Sequence, residues 1–206
     1  MGLCGFGGVS SMRRNASSSL GASNLSLAIM RYNPDQIAFY ATLGHAITTW
    51  AEVERGLYFV YLAAIGNPMS MTAGAAFFSI INFNAKLAMV DNVMGVRYYH
   101  YPDVLERWTT IKNSLNRRSK KRNLLAHWQL LIFSQNGKMT HKLVPQIFDP
   151  NTVRDGKDRP ELTVEDIEAI DMKFRECAYD LDRLTKSLQE EPRPEFAGPE
   201  DHKPNH

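Results

Sequence analysis

Apolar residues recur every three or four positions over most of this 206-residue chain, and the places where that period breaks mark out its elements. From Pro34 to Ile65 the spacing of Ile37, Tyr40, Leu43, Ile47, Trp50, Val53 and Leu57 predicts a first helix, which Gly66-Asn67-Pro68 stops. A second is predicted from about Thr72 to Tyr98, on Phe77, Phe78, Ile81, Ala85, Ala88, Met89 and Val96. "YPD" separates it from a third, whose stripe is Val104, Trp108, Ile111 and Leu115 and which reaches to about Trp128.

Beyond Trp128 the helical period gives way to extended stretches. "QLLIFSQNGKMTHKLV" places two of them around Asn136-Gly137, a hairpin signal because both turn positions favour positive φ. The segment "DPNTVRDGKDRP" reads as loop. Thr163 is then set to cap a helix, with Asp166 three residues on. Ile167, Ile170, Phe174, Cys177, Leu181, Leu184 and Leu188 continue that fourth helix in three-four alternation, the stripe of a bundle core rather than of a coil that binds a partner. The predicted fold is mostly α: a four-helix bundle with a small β-hairpin, about 129–144, between its third and fourth helices. The predicted domain spans 34–190. Residues 1–33 are Gly- and Ser-rich with no acid, and 191–206 are Pro-rich and polar, so both ends are expected to be disordered.

Composition changes this picture little. With 44% hydrophobic and 22% charged residues the chain can bury an ordinary core. No charged residue occurs between Gly56 and Ala85, but "GNPMSM" breaks the run into pieces too short to cross a bilayer. The expectation is a soluble, cytoplasmic protein with no membrane partner. Of the two cysteines, Cys4 and Cys177, the second falls on the fourth helix's stripe as a core residue, so no disulfide framework is implied. The net charge of +2 is uneven: residues 101–128 carry seven Lys/Arg against two acids, and residues 161–191 four against ten. A basic third helix suits an anionic ligand, and equally an ion-paired helix interface.

The end of that basic helix, "KKRNLLAHW", carries the candidate chemistry. Arg122 lies seven residues beyond Leu115, on the line of the core-facing stripe, where an arginine is costly unless an anion meets it. Asn123 and His127 are neighbours at i and i+4, whereas Arg122 and His127 stand about 140° apart around a regular helix. With 14 Arg, 6 His and 13 Asn in the chain, Arg-Asn followed by His at this spacing is expected by chance roughly 0.03 times.

"RNLLAH" resembles the R-[NHD]-x(n)-H signature of HEPN domains, small helical proteins of bacterial toxin, defence and RNA-processing systems. The architecture resembles theirs from Pro34 to about Leu188, with the motif near the end of a late helix. What the resemblance implies is a HEPN-type bundle acting as a metal-independent endoribonuclease. It implies a homodimer with motifs from both protomers in one cleft, a toxin or defence role, a cognate antitoxin and no cofactor. Arg122, Asn123 and His127 would be catalytic. Imidazole exchanges protons near neutral pH, as the 2′-hydroxyl attack requires, and a fixed guanidinium suits the phosphate that gathers charge. Arg117, Arg118, Lys120 and Lys121 would attract the RNA backbone without reading its sequence.

Glu52, Glu54 and Asp91, on the predicted first and second helices, are the candidate supporting acids. They are also the partners that would reduce Arg122 to a scaffold ion pair. The alternative function is a non-catalytic helical module that binds RNA or a protein partner. Elsewhere, His45 and His141 lack metal-ligand spacing, His100 sits in an aromatic packing cluster, and no Gly-rich phosphate loop follows a strand.

Overall fold

The computed structural model describes residues 33–67, 69–135, 138–145 and 161–190. Within them the chain forms α1 (Pro34–Ile65), α2 (Met71–Ser79), α3 (Phe83–Arg97), α4 (Pro102–His127), β1 (Gln129–Gln135), β2 (Lys138–Val144) and α5 (Val164–Glu190). The described residues from Asp35 onward belong to one compact unit, mostly helical with a two-stranded antiparallel sheet. The predicted terminal segments, the Asn136-Gly137 turn and the 149–160 loop lie outside the described residues.

α1 ends where the sequence stops it. Gly66 takes φ +72°, and the N–H groups of Gly66 and Asn67 bond back to the carbonyls of Ala63 and Leu62, so the last carbonyls are satisfied by a Schellman turn. α5 starts on the predicted capping box. The Thr163 hydroxyl accepts from the Asp166 N–H at 3.3 Å, and the Asp166 carboxylate accepts from the Thr163 N–H at 2.9 Å. β1 and β2 pair from Gln129↔Val144 to Gln135↔Lys138, the register of a two-residue connection. Leu143 and Leu162 then exchange backbone hydrogen bonds at 2.9 Å, tying the hairpin to the residues before α5.

The predicted second helix is two helices, so the bundle has five rather than four among the described residues. β-branched Ile80 and Ile81 disfavour the helical conformation, and both flanking residues compete with it. Ser79 Oγ donates back to the Ala76 carbonyl at 2.7 Å, and the extended Asn82 caps α3 by accepting from the Asn84 N–H at 2.8 Å. The break resets the phase of the apolar stripe. Phe77 is fully buried, but Phe78 is 59%, Val96 74% and Ile81 98% exposed, against expectation. Leu87, Val90 and Met94 fill the core side of α3 instead. On α1, too, Ile37 and Tyr40 are exposed while Phe39 and Ala46 are buried.

The core gathers on Trp50. Its ring meets Phe83 at 4.8 Å and Phe174 at 4.9 Å, both edge-on, joining α1 to α3 and α5. α4 packs against α3 and α5. α5 closes over α1 at Gly56, where an added Cβ would lie 3.1 Å from that of Leu181. Cys177 is buried as expected, and burial pushes its thiol above the ordinary value.

The break in the predicted second helix has a direct test in urea denaturation. Phe77→Ala is expected to cost about 3–5 kcal/mol, and Ile81→Ala less than about 0.5 kcal/mol. Comparable losses at the two positions would mean that one continuous stripe faces the core.

Candidate functional site

Arg122 comes from the core-facing side of α4, one turn beyond buried Ser119, and is half-buried there. It lines a pocket of about 190 Å³ with Asn123, Ser119, Trp50, Glu54 and the start of α3 at Ile81–Asn84. The pocket therefore sits where α1, α3 and α4 meet. Its position follows from the break that ends α2 and turns Asn82 and Phe83 toward α4.

Of the three predicted supporting acids, only Glu54 lines this pocket. Glu52 pairs with Arg55 one turn along α1. Asp91 accepts from Trp108 Nε1 at 2.8 Å and from Lys112 Nζ at 3.0 Å. The charges of both are met elsewhere, and neither lines the Arg122 pocket. Glu54 is also occupied, but by groups that sequence reasoning missed. Its Oε1 accepts from Trp50 Nε1 at 3.0 Å and its Oε2 from Lys86 Nζ at 2.9 Å. Lys86, on the second turn of α3, has a side chain only 9% exposed, with its ammonium 5.3 Å from the Phe77 ring centroid.

Arg122 is thus left without a carboxylate. Among the described residues its one hydrogen bond runs from Nη1 to Asn123 Oδ1, at 3.3 Å, and its Nε is buried with no partner. The Nε of Arg118, one turn back, is in the same condition. A guanidinium with unmet donors beside an already neutralised carboxylate is a local excess of positive charge and of hydrogen-bond donors. The other pocket groups reinforce it. Asn82 and Asn123 each already accept through Oδ1, which leaves their amide N–H groups to donate.

His127 does not join them. It is exposed at the last position of α4 and does not line the pocket. Arg117, Lys120 and Lys121 are exposed on the outer side of α4, available to a polyanion but not gathered at Arg122. The Lys86 contribution had a faint signal in the sequence, the first charge after the uncharged run from Gly56 to Ala85. Its partner is 32 residues away in the chain, which no local pattern encodes.

A second polar cluster clasps α1 to α5. His45 Nδ1 lies 3.2 Å from Asp171 Oδ2, Arg175 Nη2 lies 3.0 Å from the same oxygen, and a second contact of 3.3 Å joins Arg175 to His45 Nε2. The Asp171 side chain is only 10% exposed. Burial pushes its carboxyl upward, but the polar Thr49 hydroxyl, the hydrogen bond from Arg175 and the charge of His45 outweigh it and hold the group below its ordinary value of 3.8. A pocket beside the clasp is lined by Ala41, Thr42, Glu168 and Met172, and holds no cation free of Asp171.

No protein-family model matches the chain, and no curated protein or solved structure does. The site therefore stands on its own geometry.

Since the folded-state pKa of Asp171 is depressed, its ionised form stabilises the fold above the unfolded value, and that contribution disappears as the pH falls through the folded one. Asp171→Asn is expected to cost about 2 kcal/mol at pH 7. Its melting temperature should also depend less on pH than wild type's in the acid range below about pH 5. Parallel melting curves for the two proteins across that range would remove the clasp's role in acid stability.

Proposed function

We propose that this chain is a metal-independent endoribonuclease of HEPN type, in which Arg122 holds a backbone phosphate and His127 moves the protons. The observation that carries the reading is the unpaired state of Arg122. It shares a pocket with Glu54, the one carboxylate in that lining, yet Glu54 is taken by Lys86 and Trp50. An arginine kept for the scaffold would spend its donors on that carboxylate.

In the proposed reaction an imidazole takes the proton of a ribose 2′-hydroxyl, and the 2′-oxygen attacks the adjacent phosphorus. The bond from phosphorus to the 5′-oxygen breaks as that oxygen receives a proton, leaving a 2′,3′-cyclic phosphate and a free 5′-hydroxyl. Arg122 neutralises the charge gathering on the non-bridging oxygens. One chain supplies only one His127, at a helix end outside the Arg122 pocket, so the acid and the base come from two copies around one cleft. Exposed Ile81, on the pocket's rim, and exposed Phe78 supply apolar surface for such a second copy. The toxin or defence role and the antitoxin rest on the motif's resemblance alone.

The separation of His127 from the pocket favours one second reading, a module that binds RNA through Arg122 and the basic face of α4 without cutting it. Incubation of single-stranded RNA with purified protein in EDTA separates the two. Cleavage that yields cyclic-phosphate ends is expected. It should fall at least about a hundredfold in His127→Ala and in Arg122→Ala, with both variants folded. Intact RNA that is still retained by wild type and released by Arg122→Ala would establish the binding module instead. Cleavage unchanged in Arg122→Ala would reject both readings of the pocket.

A further inference from the structure

The charges around the pocket do not sort themselves in the obvious way. Glu54 is bonded to one cation, Lys86 from α3, and shares its pocket with a second, Arg122 from α4, that is not bonded to it. We propose that Lys86 is the positioning residue of this site: by holding Glu54 against Trp50 it keeps Arg122 open to a phosphate oxyanion of an RNA strand. The proposal rests on the reading of the pocket as a phosphate site, and adds to it the device that keeps the site available.

Three observations support it. The first is geometric. Each carboxylate oxygen of Glu54 already accepts one hydrogen bond, at 3.0 Å from Trp50 and 2.9 Å from Lys86, so the group is both oriented and neutralised without Arg122. The Trp50 end is itself immobilised, because its ring is wedged between Phe83 and Phe174. The second is burial. Lys86, 9% exposed, is spent on Glu54 and is not free to meet a ligand. A partly desolvated carboxylate that lost it would have to take another cation, and Arg122 is the one lining the same pocket.

The third is the character of the walls. With Glu54 neutralised, the pocket keeps donors: the guanidinium of Arg122 beyond its one bond to Asn123, and the amide N–H groups of Asn82 and Asn123. A donor-rich wall, with a charge of +1 when Lys86 behind Glu54 is counted (one Glu against one Lys and one Arg), suits an oxyanion. The volume of about 190 Å³ exceeds several water molecules at about 30 Å³ each. It falls below the 300 Å³ or so where sites for larger organic ligands begin. The recess is of a size for one phosphate group.

The test is binding of a fluorescein-labelled 2′-O-methyl oligonucleotide, which has the phosphates but no free 2′-hydroxyl to attack, measured by anisotropy at low salt on full-length protein. Lys86→Met is expected to weaken binding about tenfold or more, the worth of a charge-assisted hydrogen bond from Arg122 that now goes to Glu54. Glu54→Gln in the same chain should restore wild-type affinity within about threefold, since the net charge returns to +1 and Arg122 is released again. Glu54→Gln alone should bind more tightly than wild type.

A double variant as weak as Lys86→Met would overturn the proposal, and so would a Lys86→Met protein that binds like wild type. If Lys86→Met does not fold, the single Glu54→Gln variant still decides: weaker binding than wild type means that Glu54 contacts the ligand, and the positioning role fails. Arg122→Ala serves as the separate check on the parent reading. If it binds as tightly as wild type, the pocket is not a phosphate site at all. A loss in Arg122→Ala without rescue in the double variant would leave the phosphate site standing and remove Lys86 from it.

Discussion

A carboxylate at the edge of an apolar core must be met by a cation and by hydrogen-bond donors, and the way Glu54 is met governs everything near the site. Trp50 supplies one donor from the same helix, one turn earlier, and Lys86 supplies the charge from α3. The contact to Trp50 passes into the centre of the bundle, because the same indole ring packs on Phe83 and Phe174. The contact to Lys86 fixes α3 against α1. α4 then lies over this junction with Arg122 facing the pocket. The same solution recurs one layer away, where Trp108 and Lys112 of α4 satisfy Asp91 of α3. Both fully committed tryptophans thus hand an N–H to a carboxylate that a lysine neutralises, and α1, α3 and α4 are joined in sequence by these two triads.

The chain's own pattern reveals the elements whose periodicity is unbroken. α1, α5, the hairpin and the Thr163 cap are legible because each rests on local rules: a stripe, a Gly stop, an alternation, a reciprocal cap. The region from Thr72 to Tyr98 is not legible in the same way. Its apolar residues are dense enough to support a continuous stripe in more than one phase, and the back-bonded Ser79 and the Asn82 cap are quiet beside them. Once the chain turns at Ile80, residues counted forward from Phe77 no longer face the core, so Ile81 and Val96 emerge on the surface and Leu87, Val90 and Met94 go in. A local break has a non-local consequence, since every later side chain on the element is rotated with it.

The site shows a similar division. Arg122 stood out in the sequence as a charged residue on an apolar line, and that line leads into a pocket between helices. Glu52 and Asp91 were plausible partners by helix alone, but their charges are absorbed by Arg55 and Lys112. Nothing in the sequence ranks these pairings, because each is decided by which side chains the packed helices bring within about 3 Å. Lys86 and the His45–Asp171–Arg175 clasp belong to the same class: interactions between distant segments, invisible until the helices are placed.

The motif's two charged residues do different work because of the helix that carries them. Five residues on a regular α-helix separate two side chains by about 140°, so when Arg122 faces the α1–α3 junction His127 cannot. The helix also ends at His127, with Trp128 already extended, so no further turn brings the imidazole back toward the pocket. Within one chain the arrangement is therefore a fixed cation in a recess and a titratable ring at an exposed tip. On the proposed ribonuclease reading that division is useful rather than defective. The recess anchors the phosphate without reference to the base, while the tip is free to meet its symmetry mate across the scissile bond, where the base and the acid must stand on opposite sides. A ring held in the pocket beside Arg122 would share its phosphate but reach only one of those two sides.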